Sequence, residues 1–147
     1  MKKFVFRPQV LIEIQRSKVE QLQNDLADAV RQLQTVQNEI LTLVNRMKKN
    51  EAERKVKIEI GMTVFDLLVF NEFEEFLVLS KQEKEKELDS IEMLIAKVRA
   101  DLAVAFKRQK TLERFKELRY NEYRTEKNKI DNRRMDEIGI GGFIRNS

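Results

Sequence analysis

The residues that interrupt helices are confined to three places in this chain of 147 residues. They are one proline and four glycines: Pro8, Gly61, Gly139, Gly141 and Gly142. In a helix interior a proline costs about 3 kcal/mol and a glycine about 1 kcal/mol, so long stretches without either favour long helices. We therefore expect helix one over about residues 9–58, a turn over about 59–62 and helix two over about 63–138.

These residues also predict where each helix begins and ends. Prolines favour the first turn of a helix and glycines the position just past its end. Pro8 therefore marks the start of helix one, and Gly61 and Gly139 mark the two helix ends. We expect a flexible tail over residues 139–147 and a single coiled-coil domain over residues 1–147.

Apolar residues in the first helix recur at alternating spacings of three and four. One seam position holds Ile12, Val19, Leu26, Leu33, Ile40 and Met47, and the other holds Gln15, Leu22, Ala29, Val36 and Leu43. This spacing is typical of a left-handed coiled coil. Helix two keeps it from Leu88 to Leu112, and then Lys116 and Arg119 interrupt it. The sequence predicts an all-α fold, a long antiparallel two-helix coiled-coil hairpin.

The two predicted helices differ in length. At 1.5 Å of rise per residue they measure roughly 75 Å and 115 Å. A tight turn at Gly61 places Gln9 beside about residue 113. We therefore expect helix two to protrude past the hairpin after Leu112.

The composition removes most catalytic chemistry. Cysteine and histidine are both absent, so disulfides, thiol chemistry, the commonest zinc ligands and the commonest general base are missing. Carboxylate pairs such as Glu74-Glu75 lie on a thin helical hairpin that offers no concave site. We predict that the chain is not an enzyme and binds no cofactor or metal. No signal peptide or membrane span is apparent, so we expect a cytoplasmic protein.

The stretch before the turn has two readings. Residues 55–60 alternate between charged and apolar side chains, which is typical of a short strand. The preferred reading is a helix end closed by Gly61. Thr63 and Asp66 then have the spacing of a capping box for helix two.

Residues 64–79 carry apolar side chains around most of the helix, more than a two-stranded seam buries. One reading is that this stretch forms a small local core or a dimer contact. The functional reading is an exposed patch that docks another protein. The residues of this patch, called the tip residues below, are Phe65, Leu68, Phe70, Phe73 and Phe76.

Charge is segregated along helix two. Residues 66–92 have a net charge of −6, and residues 107–134 hold eleven basic and five acidic residues, a net of +6. One interpretation of the basic segment is an ordinary solvated helix surface. The functional interpretation is a helix that inserts into a groove of another protein. An acidic residue in almost every turn opposes a phosphate backbone, so we predict no binding to nucleic acid.

Both ends of the chain resemble a known family. The patterns are Phe4-x-Phe6-Arg7-x-Gln9-x-Leu11, Glu20 and Leu26-Ala27-x-Ala29 near the start, and Leu112-Glu113-x-Phe115-Lys116-Glu117, Tyr123, Glu126 and Met135-Asp136-Glu137-Ile138 near the end. They are similar to FliJ, the soluble coiled-coil component of the flagellar type III export apparatus. The resemblance covers the whole chain, apart from the tail after Ile138.

The resemblance implies a stalk similar to the gamma subunit of rotary ATPases. Members of this family bind the hexameric export ATPase through the joined ends of their helices. They also contact the cytoplasmic domain of the membrane export gate and export chaperones, and so couple energy to substrate export. A monomer is expected, peripheral to the inner membrane at the flagellar base through its protein partners.

The resemblance and the helix geometry together suggest two partner-binding sets. The set expected at the ATPase end is Phe4, Phe6, Gln9, Leu112, Glu113, Phe115, Lys116, Tyr123, Glu126, Asp136 and Glu137. By elimination, the tip residues are assigned to the gate or chaperones. The alternative is an unrelated dimeric coiled-coil scaffold or tether. A hairpin stalk is expected to sediment as an elongated monomer and a scaffold of parallel helices as a dimer or larger.

Overall fold

Two long helices make up the fold. A computed structural model describes residues 2–146, and the side chains of residues 2–142. Helix α1 spans Gln9–Ile60 and helix α2 spans Val64–Asn146. The two helices pack against each other, and residues 2–146 contain no strand. The predicted helical hairpin is confirmed. Within the same residues, no helical stretch is both long enough and apolar enough to cross a membrane.

The turn between the helices is built as the capping pattern predicts. Gly61 donates its backbone N–H to the Lys57 carbonyl at 2.9 Å and has a φ of 126°. The Asp66 N–H donates to the Thr63 hydroxyl at 3.1 Å, and the Thr63 N–H donates to the Asp66 carboxylate at 3.3 Å. The hydrogen bond from the Thr63 backbone N–H, followed by that from the Thr63 side chain, lowers the pKa of the Asp66 carboxyl. The helix-end reading is therefore confirmed over the strand reading.

The φ of Gly61 gives a stability prediction. A side chain at a positive φ costs on the order of 1–3 kcal/mol, although a Cβ there would meet no atom within 4 Å. We expect Gly61→Ala to lower the free energy of unfolding by about 1–2 kcal/mol in urea denaturation. Gly139→Ala is the matched control, because Gly139 is helical with equally open surroundings, and it should be neutral or stabilising by up to about 1 kcal/mol. Equal effects of the two changes on the free energy of unfolding would contradict the role given to the positive φ of Gly61.

The predicted end of helix two is wrong. Helix α2 does not stop at Gly139 but continues to Asn146, so residues 139–146 are helical and do not form a flexible tail. Glycine weakens a helix without the steric clash that proline introduces. The helical glycines after Ile138 keep negative φ, and Gly61 is the one described glycine with a positive value. Ser147 lies outside the described residues.

Two compact units divide the chain. The terminal unit comprises Met1–Gln21 and Leu102–Ser147, and the turn unit comprises Leu22–Asp101. The core of the turn unit follows the predicted seam. It consists of Ala29, Val36, Ile91 and Ile95, with Leu26, Val30, Leu33, Ile40 and Leu88 packed against it. The prediction of a single domain stays a prediction.

Polar side chains complete the seam of the turn unit. Asn50 is buried and donates to the Phe70 carbonyl at 3.4 Å and to the Glu74 carboxylate at 3.3 Å. The Lys84 ammonium lies 2.5 Å from the Glu39 carboxylate, which raises the pKa of Lys84. Because these bonds join α1 to α2, they align particular residues of the two helices in addition to the apolar contacts.

Candidate functional site

The segment before α1 is non-helical, ends in a turn in which the Gln9 N–H donates to the Phe6 carbonyl at 3.0 Å, and lies along α2 within the terminal unit. We call residues 2–8 the strap. The Phe4 ring lies 5.2 Å from the Tyr120 ring, edge to face, and 5.4 Å from the Tyr123 ring. The Tyr123 hydroxyl donates to the Lys2 carbonyl at 2.8 Å. Aromatic pairs in such arrangements contribute about 0.5–1.5 kcal/mol beyond the area they bury. These contacts fix the first half of the strap.

The second half of the strap is held by a buried phenylalanine. Phe6 is 9% exposed, and its ring lies 5.6 Å from the Phe115 ring. The Arg119 guanidinium lies over the same Phe115 ring, 5.1 Å from its centre. The Pro8 carbonyl then accepts the Leu11 N–H at 2.9 Å, which begins helix α1.

The strap changes where the unpaired part of α2 begins. The sequence predicts that α2 loses its partner after Leu112, but the strap contacts α2 as far as Tyr123. At about 3.3 Å per extended residue the four steps from Phe6 to Lys2 cover about 13 Å, and at 1.5 Å per helical residue the eight steps from Phe115 to Tyr123 cover about 12 Å, so the strap reaches Tyr123. Past Tyr123, the side chains of residues 124–140 are exposed apart from the half-buried Ile130. The second helix is longer, as predicted, with 83 residues against 52.

A polar layer lies beside the strap. Gln15 is buried and donates to the Ala105 carbonyl at 3.1 Å. The Arg16 guanidinium forms an ion pair with the Glu113 carboxylate at 3.0 Å, and Gln109 donates to the same oxygen at 3.3 Å. The hydrogen bond from Arg16, followed by that from Gln109, lowers the pKa of Glu113. Glu113 therefore joins α1 to α2 within the terminal unit.

The lowered pKa of Glu113 predicts a pH dependence. Its contribution to stability is complete above the ordinary value of 4.5 and is lost as the pH falls through the lower folded value. Both partners are exposed, at 56% and 41%, so solvent screening limits the effect to below about 1 kcal/mol. We expect Glu113→Gln to reduce the loss of stability between about pH 7 and pH 3 in urea denaturation. Glu20→Gln, at an exposed site on α1, should leave that loss unchanged.

Five of the eleven residues predicted for the ATPase end line one surface depression. This depression is lined by strap residues and by one face of α2: Phe4, Val5, Phe6, Arg7, Pro8, Phe115, Arg119, Glu122, Tyr123 and Glu126. Leu112 lies in a neighbouring depression with Leu11 and Ile14. Gln9 and Lys116 are half-buried.

The last two members of the set lie much farther along α2 than this depression. Asp136 and Glu137 are exposed on α2, ten or more residues beyond Glu126. At 1.5 Å per residue this separation is about 15 Å, so the structure does not bring them to the same surface. That the set binds a partner stays a prediction.

Sequence reasoning missed several residues of the depression. Tyr120 packs on Phe4, and Arg7, Arg119 and Glu122 line the surface, yet none of them was predicted. One signal was present, because Tyr120 and Tyr123 are the only tyrosines of the chain and lie three residues apart, on one helical face. Their partner segment has no periodic pattern that would have revealed the contact.

The tip residues lie on the surface of the turn unit. Phe65 is 73% exposed, Leu68 54%, Phe73 43% and Phe76 60%, whereas Phe70 is half-buried. The Phe73 and Phe76 rings stack at 6.5 Å. Leu77 alone in this stretch is fully buried. The stretch therefore does not form a local core, and its apolar surface faces solvent.

No candidate metal site occurs among the described residues, since no group of three or more acidic side chains there is placed to hold an ion.

The comparisons with known proteins give one match. The family model described as Flagellar FliJ protein matches residues 5–147, which is nearly the whole chain. No curated protein and no solved structure matches the sequence.

Proposed function

The chain belongs to the FliJ family, whose members are components of the flagellar export apparatus, and from that premise we propose that it is the stalk of the export ATPase. In this proposal one copy, acting as a monomer, binds the hexameric ATPase through its terminal unit. It contributes no chemistry of its own, and it transmits the effect of ATP hydrolysis to the export machinery.

The observation that carries the proposal is the strap-braced end of α2. The strap and α1 hold α2 up to Tyr123, and residues 124–140 then continue with exposed side chains. The seam positions of this exposed part hold two charged residues, Glu126 and Arg133, and one apolar residue, Ile130. A helix face of this kind suits a groove on another protein. Because α2 is already held up to Tyr123, its exposed end loses less conformational entropy when it binds a partner.

The way the seam is filled supports a hairpin stalk over a dimeric scaffold. Ile12, Val19, Ala29 and Val36 are buried within a single chain. A scaffold that dimerised through its seam would need those side chains for the second copy. The pairing of α1 with α2 leaves them unavailable.

The tip residues supply the second contact in this proposal. Their exposed aromatic and aliphatic side chains suit the cytoplasmic domain of the export gate or an export chaperone, because exposed apolar patches commonly mark protein interfaces. The ATPase and the gate would then contact different units of the chain. The protein would be located in the cytoplasm and held at the flagellar base through these partners.

Hydrolysis by the export ATPase tests the proposal. We expect the full chain to stimulate the hydrolysis rate and the chain without residues 113–147 to lose that stimulation. Because this deletion also removes the docking surface of the strap, a second variant is needed. Arg124→Glu with Arg133→Glu reverses exposed charges past the strap and should weaken stimulation about tenfold. Phe65→Ser, in the turn unit, is the control. Unchanged stimulation by the deletion and by the charge variant would contradict the proposal.

A further inference from the structure

One continuous face of the turn unit contains residues of both helices. Phe73 of α2 borders a depression with Arg46, Lys49, Asn50 and Glu53 of α1. Glu53 also borders the next depression, which is lined by Ala52, Val56, Lys57 and Ile60. On α2, Phe65, Val69, Phe73 and Phe76 recur at spacings of four, four and three, so they share one side of the helix. These four residues of α2, together with the α1 residues that line the two depressions, form what we call the Phe73 face.

The Phe73 face is strongly apolar and exposed. Ile60 is 82% exposed and Val56 57%, on the α1 side of the face. Phe65 and Phe76, on the α2 side, are exposed to 73% and 60%. Monomeric proteins rarely leave contiguous apolar surface of this kind uncovered. A partner is therefore needed that matches both the apolar side chains and the charges around them.

The charges around the face are opposite on the two helices. Residues 46–57 of α1 hold six basic and two acidic residues, a net of +4. Residues 64–80 of α2 hold four acidic residues and no basic one, a net of −4. Among the described residues, no ion pair joins these two segments, and Lys49 pairs only with Glu53 of its own helix. Two of the four acidic residues, Asp66 and Glu74, already accept hydrogen bonds from Thr63 and Asn50. The exposed Glu72 and Glu75 and the basic residues of α1 carry the charge that is available to an outside partner.

We infer that the Phe73 face binds a second copy of the same chain. A two-fold interface uses one patch on both copies, so the patch must be complementary to itself. A surface with a basic helix beside an acidic helix meets this condition for one choice of axis. With the two-fold axis parallel to the helices, α1 of each copy lies against α2 of the other, and basic segments face acidic ones. An axis perpendicular to the helices would place α1 on α1, with like charges opposed.

The hydrogen bonds inside the turn unit specify which residues meet. Asn50 donates to Phe70 and Glu74, so Lys49 is level with the residues between these two, including Glu72. A two-fold axis parallel to the helices preserves that level. Glu72 lies seven residues after Phe65 and four before Phe76, on the outer edge of the Phe73 face. Lys49 of each copy therefore faces Glu72 of the other.

This pairing goes beyond the proposed stalk function, in which one copy binds the ATPase as a monomer, and it replaces the expectation that the free chain sediments only as a monomer. All of its residues belong to the turn unit, so it does not use the strap or the exposed end of α2. It covers Phe65, Phe73 and Phe76, which are the tip residues proposed for the gate or chaperones. The free chain would therefore keep this apolar surface covered until another partner displaces the second copy.

Charge reversal in complementary variants tests the pairing. Sedimentation velocity of the full chain should show a monomer–dimer equilibrium, with dimer populated at about 100 μM. Lys49→Glu alone and Glu72→Lys alone should each weaken dimerisation about tenfold, because the symmetry repeats each like-charge contact twice. An equimolar mixture of the two variants should recover the wild-type affinity, since both contacts are then again between opposite charges. Lys18→Glu, with the same charge change at an exposed site in the terminal unit, should dimerise normally.

The apolar part of the face has its own variant. Phe76→Ser should weaken dimerisation at least as much as either charge reversal, and Met93→Ser, at a site 74% exposed on the same helix, should not. A wild-type chain that remains monomeric at about 100 μM would overturn the inference. A mixture of Lys49→Glu and Glu72→Lys that dimerises no better than its components would overturn it as well, because a second copy paired in any other way does not restore the contacts.

Discussion

Replacing Ile12 with aspartate should unfold the terminal unit. Ile12 has no exposed surface and occupies a seam position next to the polar layer of Gln15 and Arg16. The change removes a buried aliphatic side chain, which costs about 2–5 kcal/mol, and places an ionisable group where it has no partner. We expect a loss of about 4 kcal/mol or more in the free energy of unfolding, measured by urea denaturation. Amide hydrogen exchange should accelerate over residues 9–21 and 102–123.

Ile14→Asp is the matched control for this prediction. It makes the same chemical change two residues away on the same helix, at a side chain that is 57% exposed. We expect it to change stability by no more than about 0.5 kcal/mol, as surface substitutions usually do. Equal effects of Ile12→Asp and Ile14→Asp would show that the seam of the terminal unit is not packed as described.

Replacing Phe6 with alanine should release the strap. Phe6 is buried against Phe115, and truncating a buried phenylalanine costs about 3–5 kcal/mol. The strap makes only a few other contacts. The stabilisation from the Phe4 ring contacts and the Lys2 hydrogen bond is too small to compensate for this loss of free energy. The two tyrosines of the chain, Tyr120 and Tyr123, both contact Phe4, and the chain has no tryptophan. Near-ultraviolet circular dichroism therefore reports on this cluster, and we expect the tyrosine signal to fall sharply.

The control for strap release is Val5→Ala. Val5 lies between the two strap phenylalanines but is 76% exposed, so its truncation should leave the tyrosine signal unchanged. Limited proteolysis provides a second measurement, since a released segment at residues 2–8 is cut faster. If Phe6→Ala keeps both the wild-type tyrosine signal and the wild-type resistance to proteolysis, the strap is not held by the contact between Phe6 and Phe115.

The hairpin could be predicted from the sequence because its determinants are local. The helix breakers located the turn, and the spacing of Ile12, Val19, Ala29 and Val36 identified the seam that is buried. Thr63 and Asp66 form the predicted capping box, which depends on two residues three positions apart. Each of these features is decided within a few residues of the chain.

The strap could not be predicted, because its stability depends on residues far apart in sequence. Lys2 and Tyr123 are separated by 121 positions, and residues 2–8 carry no periodic pattern that names a partner. The end of α2 failed for a different reason. Glycine in a helix costs about 1 kcal/mol but causes no steric clash, so Gly139 is a weak stop signal and α2 continues through it. Exposure of the tip residues also depended on how α1 and α2 pack.

The binding of the full chain to the hexameric export ATPase tests the central claim most directly. Fluorescence anisotropy of a chain labelled in the turn unit measures this affinity without disturbing the terminal unit. We predict saturable binding of one chain per hexamer, weakened about tenfold or more by Arg124→Glu with Arg133→Glu and unaffected by Phe65→Ser. Absence of binding, or weakening by Phe65→Ser with no effect of the two arginine changes, would contradict the claim that the terminal unit contacts the ATPase.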